Sequence, residues 1–268
     1  MGVGGGAPAA RQEVALVTGA GSPRGIGFAS AARLAGWCRA VAVTATGPRI
    51  QLRADELSGR GAEVLAVTAD LTDPAAAQLL VAAVLERFGR LDVVVANAGI
   101  AAEGEQPATA HFATMSAASF EHALAVNLAT AVHTLRAALP PMLAAGYGRV
   151  VVVSSVTGPL VSTPGDAAYA TAKAGLTGLV RTVALETAER GVTVNCVLPG
   201  WIATDSSTPS ELRAGRHTPA GRPGTADEVA AAVEFLAGRA AAYVTGVGLV
   251  VDGGNTLQED KGPPRAGG

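Results

Sequence analysis

Apolar residues along this chain fall into two alternating patterns. Unbroken runs of Val, Ala and Leu occur at 14–18, 41–44, 64–68, 91–96, 149–154, 192–198 and 248–251. Between them lie stretches whose apolar residues recur three and four apart, at about 25–37, 74–88, 119–139, 167–190 and 225–237. Unbroken runs suit strands covered on both faces, and the longer periodic stretches suit helices. Strands alternating with helices of this length predict βαβ units and a parallel sheet. Local signals set several boundaries. Asp73-Pro74 offers an N-cap followed by proline at the first helical position. Thr225-Ala-Asp-Glu228 has the form of a capping box. Pro140-Pro141 predicts that the 119–139 helix stops there. The stretch 200–224 is rich in Gly, Pro, Ser and Thr without apolar period and reads as a loop. No internal boundary interrupts 13–254, so one domain is expected, with a Gly/Ala-rich flexible leader at 1–12 and a tail at 255–268.

Composition narrows the class. With 49% hydrophobic and 16% charged residues the chain is built to bury a large core. A net charge of −2 argues against nucleic acid as a partner. No apolar stretch is long enough to span a bilayer, and the start lacks the form of a secretory signal. With only Cys38 and Cys196 there is no disulfide framework, which points to a reduced, cytoplasmic setting. Those two residues fall in strands four positions apart in the expected sheet, roughly 19 Å. A disulfide spans under about 7 Å, so both are expected to be inert packing thiols, Cys196 the deeper. His122 and His133 lie about 16 Å apart along one predicted helix, so no metal site is expected.

The first strand runs into Thr18-Gly19-Ala20-Gly21-Ser22-Pro23-Arg24-Gly25-Ile26-Gly27, and a helix follows. Glycines let the backbone turn tightly and approach a pyrophosphate, while the helix start offers N–H groups. This predicts dinucleotide binding. NAD-preferring sites place a carboxylate about twenty residues on. Here the second strand ends Thr44-Ala45-Thr46-Gly47, and the next acidic residue is Asp55, inside the following helix. Arg24 and Arg49 are candidates for a 2′-phosphate, because the guanidinium fork donates two hydrogen bonds at once. Arg24 is preferred. NADP(H) is therefore expected over NAD(H).

Tyr169-Ala-Thr-Ala-Lys173 opens a long helix, and residues four apart share a helix face. A phenol has a pKa near 10, and an adjacent ammonium favours its ionised form. That combination suits a general acid/base. Ser154-Ser155 end the fifth strand just upstream, and Asn127 is a polar residue in an apolar helix that needs a specific partner.

Together the Thr18–Gly27 turn, Asp70-Leu71, Asn97-Ala98-Gly99, Asn127, Ser155, Tyr169, Lys173 and Pro199-Gly200-Trp-Ile202-Ala-Thr204 make the chain resemble the short-chain dehydrogenase/reductase family over roughly 13–254. Ketoacyl-reductase-like members are nearest in motif, through Thr44-Ala-Thr46, Pro219-Ala-Gly-Arg222 and Tyr243-Val-Thr-Gly246. The resemblance implies an α/β fold: a Rossmann-type doubly wound parallel seven-stranded sheet, single domain, in the order 3-2-1-4-5-6-7. It implies Tyr169 as general acid/base, Lys173 at its side and on the nicotinamide ribose, Ser155 orienting the substrate oxygen and Asn127 keeping a proton relay. Ser155 is chosen over Ser154 because Ser155-Val-Thr-Gly158 matches the family's Ser-x-x-Gly run. The implied cofactor contacts are Gly19, Ser22, Arg24, Gly25, Ile26 and Gly27 in the turn and Thr46 after the second strand. Asp70, Leu71, Asn97, Ala98 and Gly99 lie along the dinucleotide, and Pro199, Gly200, Ile202 and Thr204 at its nicotinamide end.

The chain departs from the family pattern in three places. The glycine turn is about two residues longer than usual, Ala96 stands where many members have a second Asn, and 200–224 is about one helical turn short. The expected function is NADP(H)-dependent reduction of a small carbonyl or oxidation of the matching alcohol by a homotetramer. The alternatives are an NAD-linked sugar or polyol dehydrogenase and a dinucleotide-sensing module without turnover.

Overall fold

In the computed structural model, which describes residues 12–99 and 109–259, strands and helices alternate along the chain. The first half runs β1 (Val14–Thr18), α1 (Ile26–Leu34), β2 (Ala40–Ala45), α2 (Ile50–Ser58), β3 (Glu63–Thr68), α3 (Pro74–Phe88) and β4 (Val93–Ala96). The second half runs α4 (Ala117–Leu124), α5 (Thr130–Ala145), β5 (Gly148–Val153), α6 (Ala167–Thr187) and β6 (Val192–Pro199). It continues through β7 (Ile202–Ala203), α7 (Pro209–Gly215), β8 (Gly224–Thr225), α8 (Ala226–Ala237) and β9 (Gly248–Val251).

Seven strands form one parallel sheet in the order β3-β2-β1-β4-β5-β6-β9, the expected order with β9 as the seventh strand. Every residue of β1, β4, β5 and β6 is buried, whereas β3 and β9 at the edges are partly open. Continuous apolar strands are what a sheet covered on both faces requires. Side chains alternate across β1: Val14 and Leu16 pack towards α3, α5 and α6, while Ala15 and Val17 pack towards α1, α2 and α8. The strand order reverses between β1 and β4, which opens a crevice at their carboxyl ends.

The helix signals hold at two starts. Asp73 accepts from Ala75 N at 2.8 Å with Pro74 following, and Thr225 and Glu228 form a capping box. They fail at Pro140-Pro141. The helix passes through both and ends at Ala145, where Gly146 turns left-handed at φ 65°. The prolines remove two donors from the ladder, but Met142 beyond them is fully buried and anchors the last turn in the core. The single helix expected over 119–139 is also divided, because residues Ala125–Ala129 form a π-helical turn between α4 and α5. Within 200–224, α7 and the β7–β8 pair replace the expected featureless loop. Neither Cys38 nor Cys196 is in a disulfide, and both are buried, at 0% and 1% exposure, so neither is the deeper. Residues 1–11 of the leader and 260–268 of the tail lie outside the described residues. The start of the tail is docked: Asn255 is buried and Gln258 donates to His217 O.

Candidate active site

The glycine turn is held by backbone contacts that leave no room for side chains. Gly19 has φ +68°, and a Cβ there would lie 2.8 Å from Ala98 Cα. A Cβ on Gly27 would lie 2.5 Å from both Gly19 O and Asn97 Nδ2. Thr18 Oγ1 accepts from the N–H groups of Asn97 and Ala98 at 3.0 and 3.1 Å. Asn97 Nδ2 donates to the carbonyls of Thr18 and Gly19. Asn97 thus braces the turn from β4. No side chain caps α1, whose N-cap is Gly25 and whose first residues are Ile26 and Gly27, so its leading N–H groups are left for a ligand. Close backbone approach and an uncapped helix start together fit a pyrophosphate.

Around this turn the two arginines differ. Arg24 Nε lies 2.5 Å from Asp205 Oδ1. Asp205 Oδ2 accepts from Ser22 Oγ at 2.6 Å and from Arg24 N at 3.2 Å. Arg49, just after β2, lies against the turn instead: a Cβ on Gly21 would meet Arg49 Nε at 3.0 Å and Ala45 Cβ at 2.9 Å. The arginine preferred from sequence is therefore engaged across the crevice, and the other stands at the end of β2. Thr46 is exposed there, with no carboxylate beside it in the sequence. After β3, Asp70 Oδ1 accepts from Thr72 N and Thr72 Oγ1. Leu71 is buried, and its carbonyl lies 3.0 Å from His133 Nδ1.

Four polar residues converge at the other end of the crevice. The helical spacing of α6 brings Lys173 Nζ to 5.5 Å from the Tyr169 ring centre. Lys173 is 3% exposed and donates to Val153 O at 3.3 Å. Burial lowers its pKa from 10.5 to about 8. Burial also raises the Tyr169 phenol above its ordinary value, opposed by a hydrogen bond with Ser155. The expected depression of Tyr169 by the ammonium is absent from the chain alone; desolvation is the larger effect. Ser155 Oγ also accepts from Thr157 N, and Ser154 Oγ donates to Lys173 O. Gly158, at φ +100°, lets this loop touch α6: a Cβ there would lie 2.2 Å from Ala170 O, beside Tyr169. Asn127 lies in the π-helical turn, and its Nδ2 donates to Ala123 O. A Cβ on Gly99 would sit 3.2 Å from Asn127 Oδ1 and 3.4 Å from Lys173 Nζ, so both polar atoms border the same point.

The last wall comes from the segment after β6. Pro199 O accepts from Val156 N, and Gly200 packs so closely on Asp252 that a Cβ would lie 2.6 Å from Asp252 Cβ. Ile202 pairs with Gly224 in the β7–β8 sheet. Thr204 Oγ1 lies 3.0 and 3.1 Å from the hydroxyls of Ser206 and Ser207.

A family profile described as Enoyl-(Acyl carrier protein) reductase matches residues 19–256. The solved structure of a Serratia marcescens short-chain dehydrogenase/reductase mutant superposes with a TM-score of 0.83 at 34% identity, covering 92% of this chain and 98% of that one. The chain belongs to the short-chain dehydrogenase/reductase family. Levodione reductase superposes with a TM-score of 0.84 at 32% identity over 92% of this chain and 98% of its own. Oxidoreductase UcpA of Escherichia coli K12 is 35% identical, covering 92% of this chain and 95% of the relative. The 3-oxoacyl-[acyl-carrier-protein] reductase FabG of the same organism is 38% identical over 90% and 96%. Like its relatives, this short-chain dehydrogenase/reductase is an oxidoreductase of the carbonyl/alcohol pair that uses a nicotinamide cofactor. No helix among the described residues is long and apolar enough to cross a membrane.

Sequence reasoning missed Asp205 and α7. A signal for α7 was present in Thr208-Pro-Ser-Glu211, a capping box with proline at the first helical position. Nothing local marks Asp205, because its partners lie about 180 residues away.

Proposed function

We propose that this protein is an NADP(H)-dependent ketoreductase that reduces a small carbonyl compound, with Tyr169 as the proton donor. The observation that carries the reading is the Tyr169 phenol bonded to Ser155, with the buried Lys173 ammonium on the same helix face. Bound along the crevice, a nicotinamide would supply the hydride for the carbonyl carbon. Ser155 orients the carbonyl oxygen, and Tyr169 passes its proton to that oxygen as negative charge develops there. Burial keeps the phenol protonated in the free chain, the state that reduction needs. Lys173 holds positive charge beside the phenol, so the phenolate left behind is stabilised. Asn127 Oδ1 and Lys173 Nζ border one point by Gly99, and a proton relay to Tyr169 would pass there.

The cofactor would lie from the glycine turn (Gly19, Ser22, Arg24, Gly25, Ile26, Gly27) past Thr46, Asp70, Leu71 and Asn97-Ala98-Gly99. Its nicotinamide end would rest between Lys173 and Pro199, Gly200, Ile202 and Thr204. The absence of a carboxylate after β2, together with Arg49 against Gly21, supports a 2′-phosphate at the opposite, adenosine end. The same reading makes the protein a homotetramer joined through the outer faces of α5 and α6. Two buried cysteines outside any disulfide suit the reducing cytoplasm.

Steady-state kinetics with both cofactors test the preference. NADPH should give the higher kcat/KM, and Arg49→Ala should raise the KM for NADPH about tenfold, a loss of about 1.4 kcal/mol, with little change for NADH. Equal or better efficiency of the parent with NADH would overturn it.

A further inference from the structure

The contact between Asp205 and the glycine turn joins two parts of the molecule about 180 residues apart in the chain. Among the described residues, every other hydrogen bond made by 204–214 closes within the segment or onto its immediate neighbours. Thr204 N donates to Ser207 Oγ, Ser207 Oγ donates to Ile202 O, and Ser207 N donates to Thr204 O, which makes a tight turn that presents Asp205 outward. Four residues on, α7 starts under its own Thr208–Glu211 capping box. The hydrogen bonds of the segment are therefore satisfied internally, with Asp205 as its polar tether to the turn, while Gly215 at its far end packs against Pro223.

The other end of the tether is a set of three donors converging on one anion. Ser22 Oγ, Arg24 N and Arg24 Nε all reach the Asp205 carboxylate, at 2.6, 3.2 and 2.5 Å. Pro23 has no N–H and the Gly25 N–H is spent on Ser22 O. Asp205 thus takes the Arg24 N–H, between a residue that has no N–H and one whose N–H is already bonded. Charge-assisted donors of this kind bind carboxylate and phosphate alike, and two anions sharing them would repel.

We propose that Asp205 is a built-in stand-in for a cofactor phosphate: its carboxylate and a dinucleotide phosphate compete for Ser22 and Arg24, and phosphate binding releases 204–215. This rests on the proposed placement of the dinucleotide at the glycine turn. It gives the added length of that turn a role, since Ser22 and Arg24, on either side of Pro23, are the residues that reach Asp205. It also couples the two ends of the site. With the crevice empty, α7 is tied to the turn; with a phosphate seated, α7 is free to settle over the substrate end by Tyr169. Binding then costs the fraction of molecules in which Asp205 is docked.

The test is a fluorescence titration of NADPH into the full chain, its Asp205→Ala form and its Asp205→Asn form. Removing the competing anion should tighten NADPH binding by about 3- to 10-fold, with Asn between Ala and the parent. Adenosine, which carries no phosphate, should displace NADPH with the same intrinsic affinity in all three. Loss of a merely structural contact would weaken binding or leave it unchanged, and either result in a folded variant overturns the proposal. If the parent and both variants bind no dinucleotide, the cofactor reading itself fails and this proposal falls with it.

Discussion

Lys173 is a buried ammonium kept at a cost. Its pKa of about 8 against 10.5 in free solution corresponds to about 3 kcal/mol of destabilisation at neutral pH. The folded form binds fewer protons than the unfolded form between about pH 8 and 10.5, so the parent gains stability as pH rises through that window. Below it, the full penalty is present. Lys173→Met keeps the length of the side chain and removes the charge. It should abolish turnover yet raise stability at pH 7 by about 2 kcal/mol, an advantage that shrinks as pH rises from about 8 towards 10.5. Urea unfolding at pH 7 and pH 10 measures both, and a mutant less stable than the parent at pH 7 would contradict the account. At this scale the sequence was legible where a local rule operates. Tyr169 and Lys173 meet because helical periodicity makes them meet. Asp205 was not legible, because its partners are set by tertiary folding, and neither was the engagement of Arg24 by that same distant carboxylate.

Elements carry the next level of the argument. The π-helical turn at Ala125–Ala129 holds Asn127 between α4 and α5, where an uninterrupted α-helix was expected; such turns recur at functional sites, and no residue in the run announces one. Pro140 and Pro141 misled for a related reason: a local breaker was overruled by the burial of Met142. By contrast, the caps at Asp73 and Thr225 depend only on neighbouring residues, and both formed where the sequence put them. The outer face of α6 bears on assembly. Thr171, Gly175, Gly178, Thr182 and Leu185 follow one another at helical spacing and are all exposed, Leu185 at 83%. Small residues beside an exposed leucine allow a second helix to approach closely, and Arg136 on α5 and Arg181 on α6 are exposed as well. Light scattering should give the mass of four chains at micromolar concentration, and Leu185→Glu should shift it towards smaller species. A monomeric parent would refute the assembly.

For the whole molecule, the order β3-β2-β1-β4-β5-β6-β9 decides where chemistry can occur. The strand order reverses between β1 and β4, and β5 and β6 run parallel to them, so the glycine turn, Asn97, Ser155 and Pro199 all emerge at the carboxyl ends on one side. This much followed from the alternation of apolar runs and helical stretches, because a parallel sheet leaves few ways to connect them. The central claim is that Tyr169 delivers the proton that accompanies hydride transfer. Tyr169→Phe removes the hydroxyl and keeps the ring, so a single-turnover measurement of NADPH oxidation with a ketone substrate isolates that step. The account predicts a rate about 10²-fold or more below the parent, with NADPH affinity and the circular dichroism spectrum unchanged. A folded Tyr169→Phe protein that transfers hydride at most of the parent rate would contradict it.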